Sequence, residues 1–383
     1  MPFVARWLAE RGIRGDVAGQ WLGRVTADAS DWLVAIAARP EDAVAGSGLE
    51  WRALDALAAS TPVLDYQQWA VARTLARGVP PSVDGPFGCL SWPDEVRAWI
   101  EVAAGSAVTS LTPYRVGAHE VVLGADCTHG RVYFKGLAGE RASEARLTQE
   151  LAAVAPDSFA QTLALDRRED GTAWWLTASC PGQPVGDAYQ AAEALARIQQ
   201  RVMGVGLASL SLSAVNLDAA TLWAGALLGD SPCAALVRRR CAAVMRADVP
   251  EGWIPMDLDP SNILIDDEGR VRFIDVDDSF LGPVPLAVAT LATRCADRML
   301  ASATYRGYEL AWSSPLTGLD CVAFETAATV VQFWLGWKRL ERNIARGEVY
   351  VDGDLAAERT RRRLARAIGG RSPCPARPDG PAA

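Results

Sequence analysis

Asp257, Asn262 and Asp275 are the residues whose types and spacing point most directly to chemistry. They stand in one stretch, Pro255 to Asp278, which reads PMDLDPSNILIDDEGRVRFIDVDD. A polar loop, Asp257 to Asn262, leads into a short apolar strand, Ile263-Leu264-Ile265. Asp266-Asp267-Glu268-Gly269 makes a turn in which Gly269 is free to take positive φ. Val271 to Ile274 is a second strand, and it ends on Asp275. If the two strands pair antiparallel, Asp257 and Asn262 come to the start of one and Asp275 to the end of the other. Three oxygen-bearing side chains then converge at one sheet edge. Hard cations such as Mg²⁺ take oxygen ligands, commonly one or two carboxylates completed by substrate phosphates. From Glu251 to Asp278 nine acids face only Arg270 and Arg272, so this segment alone accounts for almost all of the formal net charge of −8. The turn acids Asp266-Asp267-Glu268 read as a solvated face rather than as ligands.

A second candidate comes from composition. Of 38 basic residues only Lys135 and Lys338 are lysine. Lys338 falls on an ordinary amphipathic helix. Lys135 ends an apolar strand, Val132-Tyr133-Phe134. The elements that must position these groups follow from periodicity. A helix begins at Trp92, with Asp94 and Glu95 favourable in its first turn. Strands are expected at 111–116, 119–123 and 131–137, as an antiparallel meander. A helix over 141–153 carries Glu144. A strand over 172–179 ends at the turn Cys180-Pro181-Gly182-Gln183-Pro184, and a helix over 187–203 follows. Helices are expected at 284–302, 319–345 and 354–368, before a Gly-, Pro- and Arg-rich tail, 369–383, that reads as disordered. Residues 1–95 read as mostly helical, from spacings such as Phe3-Val4-Trp7-Leu8 and Trp32-Leu33-Ile36. Their tryptophans read as core, and the stretch is a candidate surface for pairing two copies of the chain.

The Asp257 segment resembles the catalytic and metal-binding segments of the aminoglycoside phosphotransferase and choline kinase-like family, which has a protein-kinase-like fold. The family pattern is roughly H-G-D-x-x-x-x-N, a hairpin, then I-D-x-x-D. Asp257 and Asn262 have the required spacing, Pro260 sits where proline is frequent, and Ile274-Asp275-Val276-Asp277 matches the second half. Pro255-Met256 replaces His-Gly, and Asp259 stands where a histidine is common.

The resemblance implies an α+β, two-lobed fold. An antiparallel-sheet nucleotide-binding lobe would span 105–180 and a mainly helical catalytic and acceptor lobe 181–368, with residues 1–95 as an extra helical region. It implies that Lys135 contacts the α- and β-phosphates of ATP or GTP and is held by Glu144, with Glu140 and Glu150 as competitors. Backbone groups near Ala178 and Cys180 would meet the base at a hinge. Asn262 and Asp275 would hold Mg²⁺, and Asp257 would take the proton of an acceptor hydroxyl. A single glycine, Gly117, stands where protein kinases carry a glycine-rich loop. Asp277, Asp278, Asp320 and Glu325 are candidates to line the acceptor site, which would favour a cationic acceptor.

Bulk properties narrow the field. The pI near 5.0 argues against nucleic-acid and anionic-membrane partners. The apolar run Val322 to Trp337 is short for a membrane span and carries Glu325. Eight cysteines occur singly, without C-x-x-C spacing, which suits reduced thiols in the cytoplasm. Two histidines, His119 and His129, leave little for a His-rich metal site or a triad. The N-terminus meets charge at Arg6, unlike a secretory signal. The expected activity is phosphoryl transfer from ATP or GTP to a hydroxyl of a small molecule, such as an aminoglycoside-like antibiotic, a sugar or an amino alcohol. The alternative is a catalytically silent, kinase-like nucleotide-binding module. The protein-kinase signatures H-R-D, D-F-G and A-P-E are absent, which favours a small acceptor over a protein.

Overall fold

The computed structural model describes residues 92–116, 119–185, 188–206, 210–276, 278–295, 298–312, 319–345 and 353–369, with 86–87, and 18–24 and 32–37 by their backbone. Strands β1 (Ala18–Arg24) and β2 (Trp32–Ala37) pair antiparallel. This corrects the helical reading of Trp32-Leu33-Ile36. Trp32 and Ile36 are four apart, a separation that a two-residue period satisfies as well as a 3.6-residue one. The run between them is rich in aromatic and branched strand formers. The rest of the stretch expected to be helical, and with it the suggested pairing surface, lies outside the described residues.

The described residues form two compact units. The first takes those up to Ala145, Gln161–Ser179 and 340–345; the second takes Arg146–Ala160, Cys180–Arg339 and 353–369. In the first unit, helix α1 (Trp92–Ala104) precedes strands β3 (Val108–Val116), β4 (Glu120–Cys127) and β5 (Gly130–Leu137). Strands β6 (Thr162–Arg167) and β7 (Ala173–Ala178) complete one antiparallel sheet in the order β3-β4-β5-β7-β6. β6 was not foreseen. Its side chains are only half-buried at the sheet edge, so its apolar alternation is thin. α1 lays Val96 and Ile100 against the sheet, where Leu123, Phe134 and Trp174 are buried. Trp99, Phe134 and Trp174 stack edge to face, with centroids 5.6–5.8 Å apart, the geometry that aromatic quadrupoles favour. Arg97 Nη1 donates to the Val108 carbonyl at 2.8 Å, and Glu101 Oε1 accepts from the Val108 amide at 3.0 Å. These two residues, four apart on one helix face, clamp α1 to the start of β3.

Helix α2 (Ser143–Val154) begins in the first unit and runs on into the second. The second unit contains β8 (Gln183–Pro184), helices α3 (Ala188–Val205), α4 (Leu217–Leu228) and α5 (Pro232–Met245), and β9 (Glu251–Pro255). The hairpin β10 (Ile263–Ile265) and β11 (Val271–Phe273) follows, then β12 (Ser279–Pro283). Helices α6 (Pro285–Arg294), α7 (Arg298–Ala311), α8 (Cys321–Ala345) and α9 (Gly353–Gly369) complete the order. The single helix expected over 284–302 is therefore two. Cys295 turns extended (φ −64°, ψ 140°) and ends α6, while the apolar pattern runs on past it and hides the break. Among the described residues no helix is long and apolar enough to cross a membrane.

The second core centres on a buried amide. Gln199 of α3 donates from Nε2 to the carbonyls of Trp253 at 2.7 Å and Val284 at 3.3 Å, and its Oε1 accepts from Tyr308 at 2.6 Å. One side chain thus satisfies groups from β9, the end of β12 and α7, all of them without access to water. Burial pushes the Tyr308 phenol well above its ordinary pKa, so it stays a neutral donor. The 180–184 turn is fixed by a close approach: at Gly182, with φ +123°, a Cβ would lie 2.5 Å from the Ile265 carbonyl oxygen, so only glycine fits beside β10.

The acidic hairpin turn differs from expectation in one residue. Asp266 is not a solvated acid. Its side chain is 5% exposed and accepts from the amides of Glu268 and Arg270, from Arg270 Nε and from Arg272 Nη1, all at 2.8–3.0 Å. Gly269 takes φ 75° in the same turn. The bond to Arg270 leads the causes that hold this carboxyl well below its ordinary value.

Two outcomes are expected. Gln199→Ala strands three buried partners and should lower unfolding free energy by about 3 kcal/mol in urea titrations. The folded pKa of Asp266 is depressed, so its contribution is complete above the unfolded value near 3.8 and is lost as pH falls through the lower folded value. Asp266→Asn should therefore reduce stability at pH 7 and flatten the acid limb of the stability–pH curve below about pH 4.

Candidate functional site

The expected site residues fall into two groups of side chains, one in each unit. In the first unit, Lys135 sits on β5 opposite Val122 of β4 and Trp175 of β7. Central placement in the sheet fixes its stem. Its Nζ lies 2.7 Å from Glu144 Oε1 and 5.6 Å from the centroid of the Trp175 ring. Glu144 is in the first turn of α2, behind a short 3₁₀ turn at Gly139–Ala142. The Glu144 side chain is 3% exposed and that of Lys135 16%. A carboxylate this deeply buried is costly unless paired. Of the competing glutamates, Glu150 accepts from Arg146 Nε at 2.7 Å and from the Ser211 amide at 3.0 Å. The side chain of Glu140, and residues 117–118 with the candidate glycine turn, lie outside the described residues.

The sheet ends at the expected hinge. The Ala178 amide donates to the Gln161 carbonyl at 2.9 Å, and the Ser179 amide to that of Arg131 at 3.3 Å. Both amides are thus engaged, and a base bound here would have to use other backbone groups. Burial raises the Cys180 thiol pKa, against a smaller opposite effect of Arg272, so this cysteine is no activated nucleophile.

In the second unit the polar loop is held from both ends. β9 pairs with β12 antiparallel, so Pro255 faces Ser279, and the Met256 amide donates to the Asp278 carbonyl at 2.7 Å. Met256 is the second residue of the Pro255-Met256 pair that replaces the family's His-Gly. It is buried, its carbonyl accepts from Gln332 Nε2 at 3.2 Å, and its sulfur accepts from the Thr290 hydroxyl at 3.7 Å. The backbone entering Asp257 is therefore anchored without a histidine. Next, Asp259 caps the 3₁₀ turn Pro260–Asn262, accepting from the Ser261 amide and hydroxyl at 2.9 and 2.7 Å. Those bonds, with Arg294 nearby, hold its carboxyl below the ordinary range.

The hairpin register brings the loop to Asp275. Ile263 pairs with Phe273, and one step further the Asn262 carbonyl accepts from the Ile274 amide at 3.0 Å. Asn262 Nδ2 is turned toward the Asp257 carbonyl, 3.5 Å away. That leaves the side-chain oxygen as the atom a cation would use. Asn262 and Asp275 thus present hard oxygen donors, the right chemistry for Mg²⁺. Among the described residues no cluster of three or more His, Cys, Asp or Glu side chains forms a metal cage. An open shell of this kind suits an ion whose remaining ligands are phosphates and water.

Asp257 has a partner that the sequence did not indicate. Arg294, the last residue of α6, places Nη2 3.3 Å from Asp257 Oδ1 and Nη1 3.9 Å from Asp259 Oδ2. Arg294 is 37 residues away, and no local pattern links it to the loop. The acids expected to attract a cation are also engaged. Asp278 meets Arg339 at 2.6 Å, Glu325 meets Arg298 at 2.7 Å, and Asp320 caps α8 through the Ala323 amide at 3.0 Å. Asp277 lies outside the described residues.

Comparison with known proteins gives the family and the fold. The phosphotransferase enzyme family model (APH) matches residues 127–323. No curated protein matches the sequence. Among solved structures, macrolide 2'-phosphotransferase from Brachybacterium faecium is 17% identical, covering 72% of this chain and 99% of its own at a TM-score of 0.50. Choline kinase from Streptococcus pneumoniae is 12% identical, covering 73% and 99% at 0.52. An aminoglycoside 2'-phosphotransferase-IIIa in its GDP complex is 14% identical, covering 70% and 96% at 0.50. At such identities the likeness shows the fold, which is protein-kinase-like. The family match is independent of it and spans just over half of the chain, from before Lys135 to beyond Asp275. The chain accordingly belongs to the phosphotransferase enzyme family.

Proposed function

We propose that the protein transfers the γ-phosphoryl group of ATP or GTP to a hydroxyl of a small molecule, with Mg²⁺. The observation that carries the assignment of roles is the hairpin register. Through the Asn262 carbonyl and the Ile274 amide it sets Asp275 beside the loop that begins at Asp257. In this reading the acceptor oxygen forms a bond to Pγ, the bond from Pγ to the β-phosphate oxygen breaks, and the nucleoside diphosphate leaves. The hydroxyl proton passes to the Asp257 carboxylate. Lys135, kept in place by Glu144, holds the α- and β-phosphates. Asn262 and Asp275 would hold Mg²⁺, which supplies charge neutralisation at the phosphates. Transfer of this kind asks mainly for positioning and electrostatics, which these few groups can provide.

Several facts support this over a silent binding module. The loop that lacks His-Gly is anchored through Met256 by Gln332 and Thr290, so that departure leaves Asp257 supported. The GDP complex of a structural neighbour agrees with a nucleotide co-substrate. The neighbours' names span macrolide, choline and aminoglycoside acceptors, so no acceptor carries over from them. We place the enzyme in the cytoplasm, where ATP and GTP are available and where thiols such as Cys127, Cys233 and Cys241 stay reduced.

Thermal-shift titration with Mg-ATP and Mg-GTP should raise the melting temperature through ligand linkage. Asp275→Ala should abolish the Mg²⁺-dependent part of that shift. Asp257→Ala should keep the shift yet lose at least about a hundredfold in turnover; undiminished turnover would refute the role given to Asp257. Lys135→Ala and Glu144→Ala should each weaken nucleotide binding. In a double-mutant cycle the two should couple by about 1 kcal/mol or more, whereas additive losses would separate them.

A further inference from the structure

We infer that the acceptor binds along one stripe of α8, over Gly336, and that it is an electrically neutral hydroxyl compound. The inference rests on the phosphotransferase reading of Asp257 and concerns only the second unit. Glu325, Gln332, Gly336 and Arg339 recur at intervals of seven, four and three, and so share one helix face. Two of them touch the catalytic segment. Gln332 reaches the carbonyl of Met256, next to Asp257, and Arg339 reaches Asp278. These contacts are seven residues apart, which is about 10 Å along a helix, the length of one sugar ring with its substituents.

Between them the face is not filled. Gly336 is exposed, and a Cβ built on it meets nothing within 4 Å. Glycine inside a helix costs about 1 kcal/mol relative to alanine. Neither a turn nor a close backbone approach accounts for it here. The missing side chain leaves open space on the helix face whose Gln332 and Arg339 meet Met256 and Asp278.

Around this stretch four acids meet three arginines, so most of the charge is offset. Asp257 and Asp259 share Arg294, Glu325 is paired with Arg298, and Asp278 with Arg339. Glu325 is moreover 1% exposed and out of reach of a ligand. A polycation would find no row of unmatched carboxylates, and would have to approach three guanidinium groups. A neutral acceptor meets the polar side chains of Gln332 and Arg339 at either end and no such repulsion.

The test uses the full-length protein and Mg-ATP or Mg-GTP, with nucleoside diphosphate release as the readout. Neutral probes are methyl glucoside, myo-inositol and uridine; cationic probes are choline and kanamycin. Release should be stimulated by a neutral probe and not by the cations. Gly336→Leu should raise the KM for that probe at least about tenfold, with the nucleotide-induced thermal shift unchanged. Gly336→Ala, which the open space accommodates, should fall between the two and serves as the folded control if the leucine variant fails. Stronger stimulation by choline or kanamycin, no stimulation by any neutral probe, or a wild-type KM in both variants would overturn the inference. A wild-type protein that shows no thermal shift with either nucleotide would instead overturn the phosphotransferase reading.

Discussion

The pairing of β9 with β12 is the constraint on which the second unit depends. By setting Pro255 opposite Ser279 it closes the intervening segment into a loop whose two ends are side by side. Nine acids lie in or next to that loop, and without the closure their mutual repulsion would favour an extended chain. The hairpin inside the loop then makes a second, smaller closure, locked by Asp266 on its turn. Nested closures of this kind bring the Asp257 loop, Asn262 and Asp275 to one end of the hairpin. Gln199 anchors the same ladder from below, since it bonds to both Trp253 and Val284.

In the first unit the corresponding element is an ion pair. Lys135 and Glu144 are largely withdrawn from water, and such a pair is weak evidence for stability because desolvation offsets much of the attraction. An apolar pair would serve the sheet equally well. A lysine retained at this place, in a chain that writes its other positive charges almost entirely as arginine, agrees with the proposed role of a compact cation aimed at phosphate. Trp175 beneath the ammonium group limits where it can point.

The arginines do different work. Arg294, Arg298 and Arg339 come from the end of α6, the start of α7 and the middle of α8, and each meets an acid around the proposed acceptor face. The segment as a whole is strongly acidic, yet the face beside Asp257 is close to balanced. A sequence-level charge count therefore misjudges the field that a ligand would meet. What matters is the distribution of partners within about one Debye length.

The hairpin, the loop spacing and the strand that carries Lys135 were legible in the sequence. Each is a local pattern: Asp257 and Asn262 are five apart, Gly269 supplies the positive φ of a short turn, and Val132 to Phe134 alternate as a strand. It also carried the family resemblance that the match over residues 127–323 established. Its errors were local patterns that satisfy two geometries, as in β2, or that run through a break, as at Cys295. That Asp266 is an anchor, that Met256 is held by Thr290 and Gln332, and that Arg294 meets Asp257 emerge from the folded chain alone. The last two depend on residues tens of positions apart being brought within 4 Å, and the first on a turn that closes Asp266 onto residues two to six positions on; neither periodicity nor composition encodes a contact that the chain makes only after it has folded.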